Sequence, residues 1–382
     1  MSVADARIAI VGGGIGGLLA ATLLQEQGVR DVVLFEARET LGGRILSVAA
    51  DGAFVDPTVP GTDRFDLGPT WFWPDLQPQL DRLVAGLGLE RYRQFEDGDM
   101  LLERAASAPP MRLRGPVGEP PAMRLAGGVG ALVAALHRRL DAGRIQTGAV
   151  VRRVQRTARH VELAVELASG DVRRWRVEQV LLALPPRLAV RTLAFDPPLP
   201  TDLARRWGAT PTWMAPHAKY VAIYDSPSWR AEGLSGAARS ARGPMGEIHD
   251  ASVPGGPAAL FGFLGIPAHV RAGVPEDVLR GHCRAQLGRL FGDRAATPRA
   301  DALKDWATDP FTATGDDQDA GGQHAAAPPR GADDGPWRGR LIGIGSEWSQ
   351  QFPGYLAGAV DAATQGVEFL VAGGTGPRTN TG

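Results

Sequence analysis

The order of short apolar runs and helical segments along the chain predicts an α/β fold. The apolar run Ile8 to Val11 is typical of a buried strand, and the glycine-rich turn at 12–17 leads from it into an Ala- and Leu-rich helix that ends near Gln27. A second apolar run, Val32 to Phe35, follows and ends at Glu36. Strand, turn, helix and strand in this order form a β-α-β unit of a parallel sheet, so the chain opens as a Rossmann-like domain does.

The remaining sequence predicts a discontinuous first domain and a second domain of mixed sheet and helices. A chain of 382 residues exceeds the roughly 250 to 300 residues that a single core accommodates. Strand and helix patterns of the first kind return after residue 125, whereas 74–121 is interpreted as a helical insertion and 201–306 carries aromatic residues in strand-like runs. The predicted boundaries are 1–75, 125–200 and 335–372 for the Rossmann-like first domain, 76–124 and 201–334 for the second domain, and 373–382 for a disordered tail.

Composition excludes several classes of protein. The formal net charge is -1 and no long basic run occurs, which argues against a nucleic-acid binder. The single cysteine, Cys283, cannot form an internal disulfide, and no apolar stretch reaches the roughly 20 residues that a membrane helix needs. No secretory leader is evident at the N-terminus. We therefore expect a protein of the cytoplasm without a membrane segment.

The glycine-rich turn carries a nucleotide-binding fingerprint. Gly12, Gly14 and Gly17 form G-x-G-x-x-G between a strand and a helix, and Glu36 ends the next strand, nineteen residues past Gly17. Gly12 permits the tight turn, Gly14 lets the backbone approach a pyrophosphate, and Gly17 lets helix and strand pack closely. Glu36 is placed to accept hydrogen bonds from ribose hydroxyls, which favours FAD or NAD over NADP.

Five further segments carry motifs of a known family. In chain order they are Glu-Ala-Arg at 36–38 with Leu-Gly-Gly-Arg at 41–44, Asp-Leu-Gly-Pro-Thr-Trp at 66–71, Gly-Gly-Val at 127–129, Val-Leu-Leu-Ala-Leu-Pro-Pro at 180–186, and Gly-Ser-Glu at 345–347 with Gly-Tyr-Leu-Ala-Gly-Ala-Val at 354–360. In content and order they resemble the flavin-containing amine oxidase family, over about residues 8–370. The resemblance implies an FAD-linked reductase type of fold and oxidation of an amine by hydride transfer to the flavin.

The resemblance also assigns roles to residues. Together with the glycine motif, it implies that the following contribute to FAD binding: Gly12, Gly14, Ile15, Gly16, Gly17, Glu36, Ala37, Arg38, Gly43, Arg44, Gly68, Pro69, Thr70, Trp71, Val151, Trp306, Ser346, Glu347, Gly354, Tyr355, Leu356 and Ala359. The region that holds a flavin-linking cysteine in some members lacks one here, so we expect noncovalent FAD. No metal-binding or nucleophile motif is found.

Two residues are expected to carry the chemistry. Lys219 corresponds to the family lysine that holds a water near flavin N5 and assists oxygen reduction, and it is one of only two lysines in the chain, beside Lys304. Tyr355 corresponds to one wall of the aromatic cage that orients the amine. The second wall stays open, because the family pattern that begins at Trp306 places it near Gly315 and Asp316.

The expected reaction converts a small amine to an imine, with O2 reduced to hydrogen peroxide. A flavin desaturase or carbon-carbon oxidase on the same fold is an alternative, because the nucleotide-binding segments do not contact the substrate. A noncatalytic protein similar to GDP-dissociation inhibitors is a third reading, which Lys219 and Tyr355 argue against. The partners expected are the amine and O2, with a homodimer left open.

Overall fold

The computed structural model describes residues 3–115, 118–318 and 325–373. The chain divides into two compact units. Unit 1 comprises Met1–Gly43, Ala135–Trp213 and Gln323–Gly382, and unit 2 comprises Arg44–Ala134 and Met214–Gly322. Among the described residues, no helix combines the length and apolar character needed to cross a membrane.

The helices are short except for α1, α8 and α10. In chain order the helices are α1 (Ile15–Glu26), α2 (Pro78–Gly86), α3 (Gly130–His137), α4 (Pro186–Thr192), α5 (Thr201–Ala209), α6 (Ser228–Ala231), α7 (Ala268–Arg271), α8 (Glu276–Phe291), α9 (Asp293–Ala296) and α10 (Leu356–Gly373).

The strands are distributed over both units. From the N-terminus to the middle of the chain they are β1 (Val3–Asp5), β2 (Ile8–Val11), β3 (Val32–Phe35), β4 (Ser47–Ala49), β5 (Phe54–Val55), β6 (Arg64–Asp66), β7 (Arg91–Arg93), β8 (Asp99–Glu103), β9 (Met111–Arg114), β10 (Met123–Leu125) and β11 (Ile145–Gln146). The later strands are β12 (Ala149–Arg156), β13 (Val161–Leu167), β14 (Val172–Val177), β15 (Gln179–Leu182), β16 (Ala194–Asp196), β17 (Ala218–Tyr224), β18 (Leu234–Ser240), β19 (Met245–Asp250), β20 (Ala258–Leu264), β21 (Ala300–Asp305) and β22 (Leu341–Gly343).

Unit 1 is built on a five-stranded parallel sheet in the order β11-β3-β2-β15-β22. Every residue of β2 and β3 is buried, which matches the continuous apolar runs of a sheet covered on both faces. A second sheet, β1-β14-β13-β12-β16, joins the unit through the antiparallel meander β12 to β14. The predicted Rossmann-like fold is therefore confirmed.

Unit 2 is built on a seven-stranded mixed sheet in the order β21-β17-β20-β19-β18-β8-β9. Its two apolar faces pack against separate clusters, one of which contains Cys283 on α8. The strand-like aromatic runs after residue 201 are thus part of a mixed sheet, as predicted. Cys283 fills the core of this unit.

The prediction of a helical insertion at 74–121 was wrong. Among the described residues of this segment only α2, with nine residues, is helical, whereas β8 and β9 extend the large sheet by parallel pairing of β8 with β18. The partner strand lies more than a hundred residues further along the chain, so the local pattern of proline and charge gave no sign of the pairing.

The predicted domain boundaries also differ from the two units. Residues 44–75 were assigned to the FAD-binding domain, but they fold within unit 2, where β4, β5 and β6 form a small antiparallel sheet. Which segments bind the cofactor stays a prediction. Residues 374–382 of the predicted tail lie outside the described residues.

Helix α1 should tolerate no side chain at Gly17. A Cβ there would lie 2.0 Å from the carbonyl oxygen of Gly12, so we expect Gly17→Ala to lower the free energy of unfolding by about 2–3 kcal/mol. Gly208 in α5 has no atom within 4 Å of its Cβ position and is the matched control. Urea unfolding followed by circular dichroism should show Gly208→Ala unchanged or more stable by about 0.5–1 kcal/mol. Equal midpoints for the two variants would contradict the packing argument.

Candidate active site

The three glycines of the fingerprint play three different roles in the structure. Gly12 has φ +110°, a conformation that side chains rarely adopt, and Gly17 packs directly beneath the Gly12 carbonyl oxygen. Gly14 differs, because its Cβ position lies 3.8 Å or more from any protein atom. The space beside Gly14 is what a close-approaching diphosphate requires, so the turn fits the implied cofactor.

The end of α1 at this turn is left available to an anion. The N-cap residue Gly14 makes no side-chain capping bond, and no acidic residue occupies the first turn of α1. The amides there and the positive end of the helix dipole therefore face no competing carboxylate from their own helix. An isolated β-bridge pairs Gly14 with Gly42, so the loop that contains Gly42 lies alongside this turn. Gly43, the next residue of the loop, has φ +61°.

The Glu36 carboxylate is hydrogen-bonded to the backbone of the glycine-rich turn. Its buried carboxylate accepts a 2.7 Å hydrogen bond from the Gly13 amide and a 2.9 Å bond from the Arg38 amide. The Arg38 guanidinium lies 3.6 Å from the same carboxylate. A carboxylate offers about four acceptor positions, so acceptor capacity remains for ribose hydroxyls after these bonds.

The C-terminal motif places a second helix start in unit 1. Ser346 donates a 2.9 Å hydrogen bond to the buried Glu347 carboxylate, and the Ser346 carbonyl accepts the amide of Gly354 at 3.0 Å. Leu356 then begins α10, whose first turn also has no acidic residue. A Cβ on Gly16 of α1 would lie 2.8 Å from the Ile344 carbonyl and 3.8 Å from that of Ala359, so α1 and α10 pack closely.

Tyr355 has an aromatic neighbour that sequence reasoning did not pair with it. The Trp213 ring lies 6.1 Å from the Tyr355 ring between centroids, at 31°. A Cβ on Gly354 would lie 2.3 Å from the Trp213 Cβ, so only glycine lets the tryptophan pack here. Tyr355 is 37% exposed.

Lys219 lies at the centre of the predicted site in unit 2. The side chain is 2% exposed, and Nζ donates hydrogen bonds to the Gly68 carbonyl at 3.1 Å and to the Thr70 hydroxyl. Nζ also lies 4.1 Å from the centroid of the Phe261 ring. Lys219 is thus hydrogen-bonded to the segment 66–71, which the family resemblance assigns to FAD binding.

Burial sets the charge of this lysine. It lowers the pKa of Lys219 from 10.5 to about 7, because the ammonium loses its hydration; the Asp66 carboxylate opposes this shift and Arg124 adds to it. Asp66 is itself buried, which raises its pKa against the opposing effects of Lys219 and Arg124. Its Oδ1 accepts the Ser47 hydroxyl at 2.9 Å and the Val129 amide at 3.0 Å. A lysine with a pKa near neutrality can hold or release a proton at working pH.

Trp306 is attached to the same segment. Its indole nitrogen donates a 3.0 Å hydrogen bond to the Leu67 carbonyl, and its ring carries the Lys304 ammonium at 4.8 Å. Trp306 is buried. Trp306 therefore binds the backbone of Leu67, the residue that precedes Gly68.

The predicted site residues divide between the two units. Those of unit 1 are Gly12, Gly14, Ile15, Gly16, Gly17, Glu36, Ala37, Arg38, Gly43, Val151, Ser346, Glu347, Gly354, Tyr355, Leu356 and Ala359. Those of unit 2 are Arg44, Gly68, Pro69, Thr70, Trp71, Lys219 and Trp306. Val151 belongs to the buried core of unit 1, and the Arg44 carbonyl packs on Gly68, whose Cβ would lie 2.1 Å from it.

Sequence reasoning left His249 and Glu247 without a role, but the structure places both beside predicted site residues. The His249 ring packs edge-on to Trp71 at 4.8 Å and stacks on Phe261 at 5.3 Å. Glu247 pairs with His249 at 2.7 Å. The only sequence signal was their spacing of two within a strand, which puts both on one face.

Comparisons with known proteins agree with the geometry. The family model described as flavin containing amine oxidoreductase matches residues 104–368, and that of an NAD(P)-binding Rossmann-like domain matches residues 10–87. A Mycobacterium tuberculosis protein whose name proposes a flavin-containing monoamine oxidase, AofH, is 27% identical, with 96% of each chain covered.

Solved structures share the fold over nearly the whole chain. A putrescine oxidase variant is 19% identical with a TM-score of 0.77, covering 97% of this chain and 100% of its own. Cyclohexylamine oxidase from Brevibacterium oxydans is 18% identical with a TM-score of 0.77, covering 97% and 99%. At this identity the likeness concerns the fold alone.

The space at Gly14 can be tested directly. A methyl group there meets no protein atom within 3.8 Å, and the backbone at φ -76° suits alanine. We expect Gly14→Ala to change the unfolding free energy of the FAD-free protein by less than about 1 kcal/mol. FAD affinity, measured by fluorescence titration, should fall at least about tenfold, since the methyl group occupies the space the phosphates need. Gly208→Ala should leave FAD affinity unchanged, and unaltered FAD affinity in Gly14→Ala would refute phosphate binding in the space beside Gly14.

The low pKa of Lys219 has a consequence for stability. Between pH 7 and pH 10 the unfolded chain keeps this lysine protonated while the folded chain releases its proton, so stability gains a contribution that rises with pH. Lys219→Met removes that contribution. The unfolding free energy of the wild type should therefore rise relative to that of Lys219→Met by up to about 1.4 kcal/mol per pH unit from pH 7 to 9. Urea titrations at both pH values measure it, with Lys219→Met/Asp66→Asn as the control for the buried carboxylate. A pH-independent difference would contradict the assignment.

Proposed function

We propose that this chain, which belongs to the flavin-containing amine oxidoreductase family, oxidises a small primary or secondary amine to an imine and passes the electrons to O2, giving hydrogen peroxide. The observation that carries the proposal is the buried Lys219, hydrogen-bonded to Gly68 and Thr70 of the motif that the sequence assigned to the flavin. A buried lysine that can hold a proton is suited to assist the reduction of oxygen beside a flavin.

Unit 1 supplies the residues that would hold the cofactor. The open turn at Gly14 and the uncompensated N-terminus of α1 suit a diphosphate, and Glu36 suits a ribose. The start of α10 offers a second positive helix end to an electron-rich ring edge. When bound, FAD accepts a hydride from the carbon next to nitrogen and returns the electrons to oxygen.

The residues of this chain perform the remaining tasks. Tyr355, with Trp213 against it, offers aromatic faces that orient the amine and attract its residual positive charge. Lys219 holds a proton at Nζ in a dry environment, where its charge stabilises reduced oxygen species more strongly than in water. Its pKa of about 7 lets it exchange that proton in each cycle.

The flavin is proposed to be noncovalent. The single cysteine of the chain, Cys283, is fully buried on α8, and burial raises the pKa of its thiol to about 12. A protonated thiol in the core does not act as a nucleophile. A cytoplasmic location, a homodimer and the choice of O2 over another acceptor stay predictions.

Anaerobic and aerobic half-reactions test the function and the role of Lys219 separately. Anaerobic mixing of the FAD-loaded protein with an amine panel should bleach the flavin absorbance, and air should restore it with peroxide formed. We expect Lys219→Met to slow reoxidation by about 10²-fold while anaerobic bleaching stays near the wild-type rate. Bleaching by non-amine substrates alone would favour the desaturase or carbon-carbon oxidase reading instead.

Lys304→Met is the matched control. Lys304 is the other lysine of the chain and pairs directly across from Lys219 in the sheet. Its ammonium binds Asp309 at 2.9 Å and is more exposed. Reoxidation in Lys304→Met should match the wild type; equal slowing in both variants would mean that general positive charge, not Lys219, assists the reaction.

A further inference from the structure

One face of the large sheet in unit 2 carries a row of charged and aromatic side chains. Lys219 on β17 pairs across from Phe263 on β20, and Phe263 pairs across from Glu247 on β19. In the next row, His249 pairs across from Phe261. Directly opposed residues point to the same face, so Lys219, Glu247 and His249 share one side of the sheet.

Glu247 and His249 form an oriented pair on this face. Glu247 Oε1 lies 2.7 Å from His249 Nε2, and Arg239 lies 3.0 Å from the other carboxylate oxygen. Hydrogen bonds from His249 hold the pKa of Glu247 below its ordinary value, with a smaller contribution from Arg239, so this carboxylate is ionised and can only accept. The proton of a neutral imidazole therefore sits on Nε2, and Nδ1 presents its lone pair.

Packing fixes the ring that bears this lone pair. His249 is held between Trp71, edge-on at 4.8 Å, and Phe261, stacked at 5.3 Å. Trp71 is itself held by a 2.7 Å hydrogen bond to Gln94, which donates in turn to the Asp250 carbonyl at 2.8 Å. Lys219 Nζ contacts the same Phe261 ring at 4.1 Å. No partner for His249 Nδ1 is found in the part of the chain that the structure describes, and the side chain is 23% exposed.

Amine oxidation creates a need for such a group. Alkylamines arrive from neutral solution as ammonium ions, whereas hydride leaves readily only when the nitrogen carries a free lone pair. Each turnover must therefore remove one proton from the bound substrate. A base whose second nitrogen is hydrogen-bonded to a carboxylate is the arrangement that keeps an imidazole oriented and stabilises its protonated form.

We propose that His249, oriented by Glu247, accepts the proton of the substrate ammonium and so delivers the neutral amine that is oxidised. This inference rests on the proposed function. The nitrogen-hydrogen bond of the substrate breaks, its electron pair stays on the amine nitrogen, and a new bond forms between the proton and His249 Nδ1. The resulting imidazolium is stabilised by the Glu247 carboxylate, and its partial exposure lets the proton pass to solvent.

The charged groups around His249 are compatible with this role. Glu247 lies on its own strand, Arg239 on β18 contacts the Glu247 carboxylate, and Lys219 on β17 contacts the same Phe261 ring as the imidazole. Asp250, the next residue, is bound to Arg230 at 2.8 Å. The charged group in direct contact with the imidazole is therefore the Glu247 carboxylate.

Two amines of similar shape and different basicity test the proposal. Phenethylamine is protonated at pH 7.5, whereas its β,β-difluoro analogue is largely neutral there. We expect His249→Gln to slow anaerobic flavin reduction by phenethylamine about 10²-fold at pH 7.5, and to leave reduction by the difluoro analogue close to the wild-type rate. With phenethylamine, the variant should recover as pH rises toward the pKa of the amine. Glu247→Gln should show the same pattern more weakly.

The chain contains its own control. His160 and Glu162 form a similarly exposed pair at 3.0 Å, with the same spacing of two, on the meander sheet of unit 1. His160→Gln should match the wild type with both amines. Equal slowing by both amines in His249→Gln, or no slowing by either, overturns the proposal; if His249→Gln fails to bind FAD, Glu247→Gln decides by the same criterion. Failure of every amine to reduce the wild-type flavin would instead refute the proposed function and this inference with it.

Discussion

The close approach of α1 to its neighbours is the constraint on which unit 1 depends. Gly17 lies beneath the Gly12 carbonyl, and Gly16 lies against the Ile344 carbonyl, so two successive glycines press the first turn of the helix onto β2 and onto the start of the C-terminal motif. This contact brings the free end of α1 together with the free end of α10. A side chain at either position would separate the two helix ends and the backbone amides at them.

The main constraint in unit 2 is the burial of the Lys219 ammonium. Removing an ammonium from water costs several kcal/mol, and neutral acceptors such as the Gly68 carbonyl and the Thr70 hydroxyl recover only part of it. Asp66 is close enough to raise the pKa of Lys219 but is itself destabilised by burial. A core built for stability alone would place an apolar residue here. A lysine rather than an arginine fits the need for a group that can lose its proton, because a guanidinium stays charged.

Features of the fold and the candidate site that depend on short-range spacing could be predicted from the sequence, whereas features that depend on pairing between distant strands could not. The β-α-β unit and the fingerprint were read correctly because strand, glycines, helix and acid lie within 36 residues. Lys219 was found by its rarity and its family context. The Glu247–His249 pair gained meaning only when the register of β19 on β20 placed it on the face of Lys219, and β8 was missed because its partner β18 is distant in sequence. Trp213 beside Tyr355 depends on a glycine at 354 whose steric role no linear pattern reveals.

The division of tasks between the units explains why the substrate is the hardest property to infer. The glycine turn and Glu36 are predicted to bind phosphate and ribose, which many flavin and nicotinamide enzymes share, so they carry no information about the reacting carbon. Discrimination must come from side chains that differ in proton affinity and shape. The sheet of unit 2 holds two of these, a lysine with a pKa of about 7 and an imidazole with one nitrogen committed to a carboxylate. A carbon-carbon oxidase would have no ammonium proton to remove. An imidazole held with its lone pair presented is therefore more informative about the substrate than the entire nucleotide-binding motif.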